Sequence, residues 1–438
     1  MCKNKDVIKH RGFMVDHASM QRPDQQAKEC RIPEESMYLT YRFRLYPDQE
    51  QKTTLAQKFS MARRAYNTLV AWSRETGTAE KNIEKMNDNT ATNPQLPAIG
   101  QSYDYLADYF LQQEKSHDLT DRSILVSVLR HFAQNRKMAV QNGRNLHFKS
   151  CKQHKQTIRF LVCNQSLAIG HNTIRMTLLG QVKVSITRKP VGRLIYLTIC
   201  ETVAGRYYIS LLAKKADSKK SIYKTLQKRK ISIVGIDVGI THYLTLSDGS
   251  TYQNPEFFSS NLTSIKRCHR QLSRKNEASR NRAKARLRLA RKHAQIQNRR
   301  NGFLHEVSTE IVKKYDVIAI ENLSIHQLML QNHRARKIAD ASWHQFMWML
   351  SYKAKKQGKA VIVVPRYLPS SKQCCRCHTI NHALTLQDRH WVCSVCQTQH
   401  DRDTNAAINI MVAATRILLK EWPLINRASL CPVLSEKR

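Results

Sequence analysis

The chain has 438 residues, 41% hydrophobic and 24% charged, the proportions of a globular protein with two or three cored domains. Its 73 Lys and Arg against 33 Asp and Glu leave a formal charge of +40, an excess that repels itself unless a polyanion neutralises it, so nucleic acid is the expected partner. No run of ~20 apolar residues could span a bilayer, and the N-terminal MCKNKDVIKHRGFMVDHASM has no apolar stretch of the secretory kind; no membrane partner, a cytoplasmic location and mostly reduced cysteines are expected.

Residues 1–37 are polar and aperiodic and read as a poorly structured leader. From Tyr38 the pattern alternates, with Tyr41, Phe43 and Leu45 against Arg42, Arg44 and Tyr46, which predicts one strand ending at Pro47. A helix over 49–75 follows, with Leu55, Phe59, Ala62, Ala65, Tyr66 and Leu69 on one face. Residues 79–120 read as loop with a short helix, and 121–141 as a second helix, so 47–142 is a helical insertion. Alternation returns at 156–213 in QVKVSITR, RLIYLTICE and RYYISLLAK, with Gly180, Gly192 and Gly205 near the turns. Residues 38–46 and 143–229 are therefore expected to form one antiparallel β unit. Within it Arg206, Tyr207 and Tyr208 set charge beside aromatic rings, which suits RNA or single strands, or equally plain cross-strand packing. The lysine-rich 214–230 reads as a linker.

After Lys230 the order changes. ISIVGID is a buried strand, and HYLTLSDGSTY supplies two more that turn at Asp248-Gly249. A basic helical region over 262–300, an amphipathic helix in FLHEVSTEIVKKYD, the strand VIAIE, the helix SWHQFMWMLSYKAKKQG, the strand AVIVVP and the helix NAAINIMVAATRILLK follow. A three-strand meander, then helix, strand, helix, strand, helix, is the order of an α/β RNase H-like domain. It is expected over 230–412, with 413–438 as a tail.

Three carboxylates fall at element ends in this order. Asp237 closes one buried strand, Glu321 closes another, and DRDTNAA opens the last helix. Neighbouring central strands would bring them to one sheet edge, where carboxylates can hold a pair of Mg or Mn ions for phosphodiester hydrolysis. Either Asp401 or Asp403 can be the third ligand; Asp403 is favoured, with Asp401 as helix cap or neighbouring ligand. Gly235 and Gly239 beside Asp237 are read as small residues admitting a phosphate backbone.

Cys374-x2-Cys377 and Cys393-x2-Cys396, with 15 residues between, have the spacing of two knuckles that present four thiolates to a structural zinc. This ribbon occupies 370–400, just before the last helix. Cys375 lies between ligands, and His382, His390 and His400 are expected on the surface. Between Lys266 and Arg300 stand 14 Lys or Arg and one acidic residue, Glu277. Lys266, Arg267, Arg270, Arg274, Lys275, Arg280, Arg282, Lys284, Arg286, Arg288, Arg291 and Lys292 are expected to contact phosphates, with Leu272, Leu287, Ala290 and Ala294 as a thin packing stripe.

Taken together, YRFRLYPDQEQ, LHFKS, GRYYISLLA, GIDVGITHYLTLSDG, the basic stretch through IENL, PSSKQCCRC and DRDTNAAINI resemble the TnpB family of insertion-sequence-encoded proteins, relatives of the type V CRISPR effector nucleases, over about 38–412. The resemblance implies an RNA-guided DNA endonuclease whose RuvC-like domain carries Asp237, Glu321 and Asp403. It implies a guide RNA from the transposon end, a double-stranded DNA target with an adjacent motif, and prokaryotic, nucleoid-associated activity. The β unit and its insertion would be the family's barrel-like wedge domain and recognition domain, in a monomer or homodimer. His378 stands where the ribbon usually has Gly, and His242 where a basic residue is common. Intact carboxylates favour an active nuclease over a non-cleaving RNA-guided repressor; the site chemistry alone would also permit a conventional strand-joining transposase.

Overall fold

The computed structural model describes residues 36–83, 108, 110–112, 119–150, 155–161, 167–216, 231–330, 334–385 and 387–421, to which all statements below refer. Residues 1–35, 217–230 and 422–438, and most of 84–118, lie outside the described residues, and with them most of the expected leader, linker and tail.

Strand β1 (Ser36–Tyr46) leads into helix α1 (Gln49–Ile83), followed by α2 (Leu119–Gln141). Six strands follow: β2 (Gln156–Leu161), β3 (Leu167–Ile169), β4 (Thr173–Met176), β5 (Gly180–Ser185), β6 (Arg193–Glu201) and β7 (Tyr207–Ala216). They form one antiparallel sheet in the order β2-β6-β7-β1-β5-β4-β3. The first strand is thus central, Leu45 lying opposite Val184 on one side and Tyr207 on the other. Pro47 ends it, and Asp48 caps α1 reciprocally: Gln51 N donates to Asp48 Oδ1 at 2.8 Å and Asp48 N to Gln51 Oε1 at 3.1 Å. Gln51 Nε2 also donates to the Leu179 and Gln181 carbonyls, which fixes the helix start against the β4–β5 turn. Tyr41, Phe43 and Leu45 bury against Leu55, Phe59, Tyr66 and Leu69, and one core takes residues from both sheet and helices.

The second half opens with β8 (Ile233–Val238), β9 (His242–Leu246) and β10 (Thr251–Gln253), then α3 (Leu262–Ser273) and α4 (Arg280–Lys314). β11 (Val317–Glu321), α5 (Ile325–Leu330), α6 (Ala335–Ala341), α7 (Trp343–Gln357) and β12 (Ala360–Val364) follow. The short strands β13 (His390–Val392) and β14 (Gln399–Asp401) precede α8 (Arg402–Glu421). The sheet order is β10-β9-β8-β11-β12, with β8, β11 and β12 parallel and the meander antiparallel, as the element order predicts. β11 is apolar on both faces because both are covered. Ile318 and Ile320 meet α4 and α7, while Val317 and Ala319 meet Ile410, Ala414 and Leu418 of α8.

The basic region and the amphipathic helix expected after it are one helix. The break falls earlier, where the Ser279 side chain accepts the Arg282 amide and caps α4. The packing stripe also differs: Ile265, Cys268, Leu289 and Ile296 bury between α3 and α4 with Leu272 against them, whereas Leu287 lies beside Gly205 of the β6–β7 turn.

Candidate active site and metal centre

Because β8 and β11 are adjacent and parallel, Asp237 and Glu321 end at the same edge of the sheet. Asp403 arrives there in the first turn of α8, the helix packed along β8. Burial pushes the Asp237 carboxyl well above the usual range; the charges of Glu321 and Asp403 raise it further, against Arg402 and Arg389. Burial also raises Glu321, opposed by the Ser370 hydroxyl, which donates to Glu321 Oε1 at 2.5 Å.

Asp401 and Asp403 separate in role. Thr404 N donates to Asp401 Oδ1 at 2.8 Å, the N-cap bond of α8. Burial pushes Asp401 up, but that bond and the nearby His390 leave it below the usual range. Asp403 lies close enough for its charge to raise Asp237, and it is held by arginines. Arg389 Nη1 reaches its two oxygens at 3.0 and 2.7 Å, and Arg402 reaches Oδ1 at 3.3 Å. Arg389 Nη2 also donates to Thr241 Oγ1 at 3.2 Å.

Gly235 and Gly239 are closely packed. A Cβ on Gly235 would stand 2.0 Å from the Ala407 carbonyl oxygen and 2.7 Å from Met411 N, so Gly235 is what lets α8 lie on β8. One on Gly239 would meet the His242 carbonyl oxygen at 2.7 Å. Both are thus required for chain packing, a role that the sequence reading did not assign them.

The four predicted sulfurs come together within 4.8 Å of one another, with Cys374 to Cys396 at 3.6 Å and Cys377 to Cys393 at 3.5 Å. Zinc–sulfur bonds of ~2.3 Å in a tetrahedron set sulfurs about 3.8 Å apart, so the donor set fits that metal. The knuckles repeat one hydrogen-bond pattern. Cys374 N donates to Thr379 O and His378 N to Cys374 O; Cys393 N donates to Thr398 O and Gln397 N to Cys393 O, all at 2.9 Å. Each closes on a left-handed residue, His378 at φ 65° and Gln397 at φ 56°, the conformation Gly adopts most easily. Hydrogen bonds from the Thr398 side chain and backbone pull the Cys396 thiol down to about 6, which favours the thiolate a metal needs. His382 and His390 are exposed as expected. His400 is not: it is buried against Trp391, with Nε2 3.1 Å from Cys374 Sγ, because β14 turns it into the small ribbon core.

The ribbon is tied to the carboxylate edge by residues that sequence reasoning left without a role. Asn405 and Asn409, one turn apart on α8, donate to the Gln373 carbonyl at 2.8 and 2.6 Å and to the Ser370 carbonyl at 3.3 and 2.8 Å. Ser370 in turn holds Glu321. The i, i+4 asparagines in NAAIN were the available signal.

Of the predicted phosphate contacts, Lys266, Arg267, Arg270, Arg274, Lys275, Arg280, Lys284, Arg286, Arg288 and Arg291 are exposed. Arg282 is occupied by the α3–α4 turn, donating to the Lys275 carbonyl at 2.9 Å and pairing with Glu277. Lys284, Arg288, Arg291, Lys292 and Arg299 share a groove of about 680 Å³ with Arg206 of the β6–β7 turn, and no acidic residue lines it.

Three family models match: "Probable transposase" over 215–331, "Cas12f1-like, TNB domain" over 343–410, and "Helix-turn-helix domain" over 37–81. The last segment is here a strand followed by one long helix. A Streptomyces pristinaespiralis protein named "Putative RNA-guided DNA endonuclease" is 30% identical over 391 residues, 85% of this chain and 88% of that one. InsQ of Escherichia coli K12, similarly named, is 29% identical over 255 residues, 55% and 61% of the two chains. In fold, the chain is similar to Cas12f1 in its solved complex with sgRNA and target DNA, with a TM-score of 0.52, 14% identity, and 86% of this chain and 99% of that one covered. A relative this similar over this much of both chains shows that the protein belongs to the TnpB family of insertion-sequence-encoded proteins.

Proposed function

We propose that the protein is an RNA-guided, metal-dependent DNA endonuclease of a transposable element. The observation that carries this is that Asp237 and Glu321 end adjacent parallel strands and Asp403 opens the helix packed along them, so that the charges of Glu321 and Asp403 both raise the Asp237 carboxyl, a loading that a cation would relieve. Asp237, Glu321 and Asp403 are the residues to hold magnesium or manganese. When bound, such ions activate water and neutralise the departing oxygen of a phosphodiester. Ser370 orients the Glu321 carboxylate, and Asn405 and Asn409 hold Ser370. Arg389 and Arg402 balance part of the negative charge around Asp403. In this reading 230–412 is the RuvC-like domain, 370–400 its zinc-bearing ribbon, and the seven-stranded sheet with α1 and α2 the wedge and recognition elements. The open basic groove between Arg206 and α4 would take the backbone of the guide RNA or of the target DNA. No helix among the described residues is long and apolar enough to cross a membrane.

The deciding experiment purifies the protein with RNA co-expressed from its flanking locus and offers matched double-stranded DNA with magnesium. The wild type should cut, and Asp237→Ala should lose about a thousandfold or more, as the several kcal/mol supplied by metal catalysis require. Binding of the matched target without cutting by the wild type would instead make the protein a guided DNA-binding repressor.

A further inference from the structure

Helix α7 buries Trp343, Phe346, Met349, Leu350 and Ala354, and leaves a second pair of aromatic residues outside. Trp348 is 61% exposed and Tyr352 36%, and their rings stand 4.8 Å apart at 53°. A solvated helix face normally mixes charges of both signs; α7 exposes Lys355 and Lys356 and carries no Asp or Glu, while Lys353 turns to α4 and donates to the His305 carbonyl. Burial raises the Tyr352 phenol, and the charge of Arg188, from the β5–β6 turn, opposes it, which places a further cation near the pair.

The pair has a defined relation to the carboxylate edge. Gly358, in the left-handed conformation, turns the chain from α7 into β12, so helix and strand run in opposite directions. β12 is parallel to β11, and Val364 lies opposite Glu321. The N-terminal end of α7 is therefore the end nearest Glu321. At 1.5 Å per residue, Trp348 sits about 8 Å and Tyr352 about 14 Å along the helix from that end.

Exposed aromatic rings set among cations fit a ligand with flat apolar faces and negative charge. Unpaired nucleotides have both, whereas a duplex keeps its bases stacked inside. A second copy of this chain, at +40, would bring like charge to the same face.

We propose that Trp348 and Tyr352 form a stacking platform for unpaired bases of single-stranded DNA passing the carboxylate edge. The choice of DNA rests on the nuclease reading; the stacking itself does not.

The test measures binding in EDTA, so it stands whether or not the protein cuts. The full-length protein, with any RNA that co-purifies, is titrated with fluorescein-labelled oligo-dT, oligo-rU of equal length and a DNA duplex. Trp348→Ala and Tyr352→Ala should each weaken dT binding about tenfold. Trp348→Phe should recover most of that loss, and duplex affinity should not move. A 5-iodo-deoxyuridine oligonucleotide should photocrosslink to Trp348 or Tyr352. Unchanged dT affinity in both alanine variants, or crosslinks confined to other residues, overturns the platform. A loss confined to rU overturns its assignment to DNA. A wild-type dimer that Trp348→Ala disperses in sedimentation makes the face a self-association surface and overturns the proposal as well.

Discussion

The four-cysteine ribbon and the carboxylate edge are both clusters of would-be metal ligands, yet they are built in opposite ways. In the ribbon, four sulfurs already lie within 4.8 Å, surrounded by a repeated set of backbone hydrogen bonds. At the edge, among the described residues, no three carboxylates come that close, and two arginines lean on Asp403. Ligands close in sequence can be gathered by local turns. Ligands delivered by two strands and a helix are gathered only by the tertiary fold, which keeps like charges apart until a cation joins them. The first arrangement has the geometry of a closed structural shell, and the second carries the electrostatic loading that the proposed nuclease reading requires.

The largest expected effect tests whether the two regions are independent. Metal analysis of the wild type should find one zinc per chain, and Cys393→Ser should remove it, with a loss on the order of 10 kcal/mol of metal-coupled folding energy in the ribbon. Arg389, next to β13, should lose its place beside Asp403, so cleavage should fall together with zinc content. Full cleavage by a zinc-free variant would show that the ribbon does nothing for the edge. Gly235→Ala comes next. Its methyl would collide with the backbone of α8, so a destabilisation of about 3 kcal/mol or more is expected in denaturant melts. A cost below ~1 kcal/mol would mean that α8 can slide, and that Asp403 is held by something other than this contact.

A smaller effect tests the loading of the edge. Asp237 is raised by burial and by two neighbouring carboxylates, so the folded state binds its proton more tightly than the unfolded chain does. Folding stability in EDTA should therefore fall as pH rises from the ordinary carboxyl range upward. Asp237→Asn should flatten that slope. Arg389→Gln, which removes a cation opposing the shift, should steepen it. Thermal melts from pH 4 to pH 8 read all three, and a wild-type slope equal to that of Asp237→Asn would refute the loading.

The two regions were also unequally legible. The ribbon could be read from spacing alone, since Cys374, Cys377, Cys393 and Cys396 lie within a short stretch. The carboxylates could be read only through element order, which predicted β8 beside β11 and so Asp237 beside Glu321. What surrounds them was not legible. Arg389 meets Thr241 across 148 residues and Ser370 meets Glu321 across 49, contacts that no periodicity encodes. The packing role of Gly235 was hidden because a small residue beside a carboxylate looks the same whether a phosphate or a helix approaches it. The turn contacts of Arg282 were also hidden, because a basic run does not reveal which side chain its own turn will claim. His400 was placed outside because alternation in a three-residue strand is too short to show a face.

The smallest effect asks whether the closed shell is itself free of strain. His378 and Gln397 hold left-handed backbone at equivalent positions after the second cysteine of each knuckle. That conformation costs a non-glycine residue about 1–2 kcal/mol, and the four knuckle hydrogen bonds hold it nonetheless. Replacing either residue with glycine removes the penalty but gives the unfolded chain more freedom, an opposing term of roughly 0.5–1 kcal/mol. His378→Gly should thus stabilise the zinc-loaded ribbon by up to about 1 kcal/mol, and Gln397→Gly by a similar amount. The double variant should approach the sum if each knuckle relaxes alone. Chelator competition at fixed pH is the direct measurement, because relief of strain in the bound shell appears as tighter zinc. A gain for one knuckle only would mean that the shared hydrogen-bond pattern conceals unequal support. A loss for both would show that the His378 and Gln397 side chains contribute more than their backbone costs, and that the ribbon's closure depends on them as well as on its sulfurs.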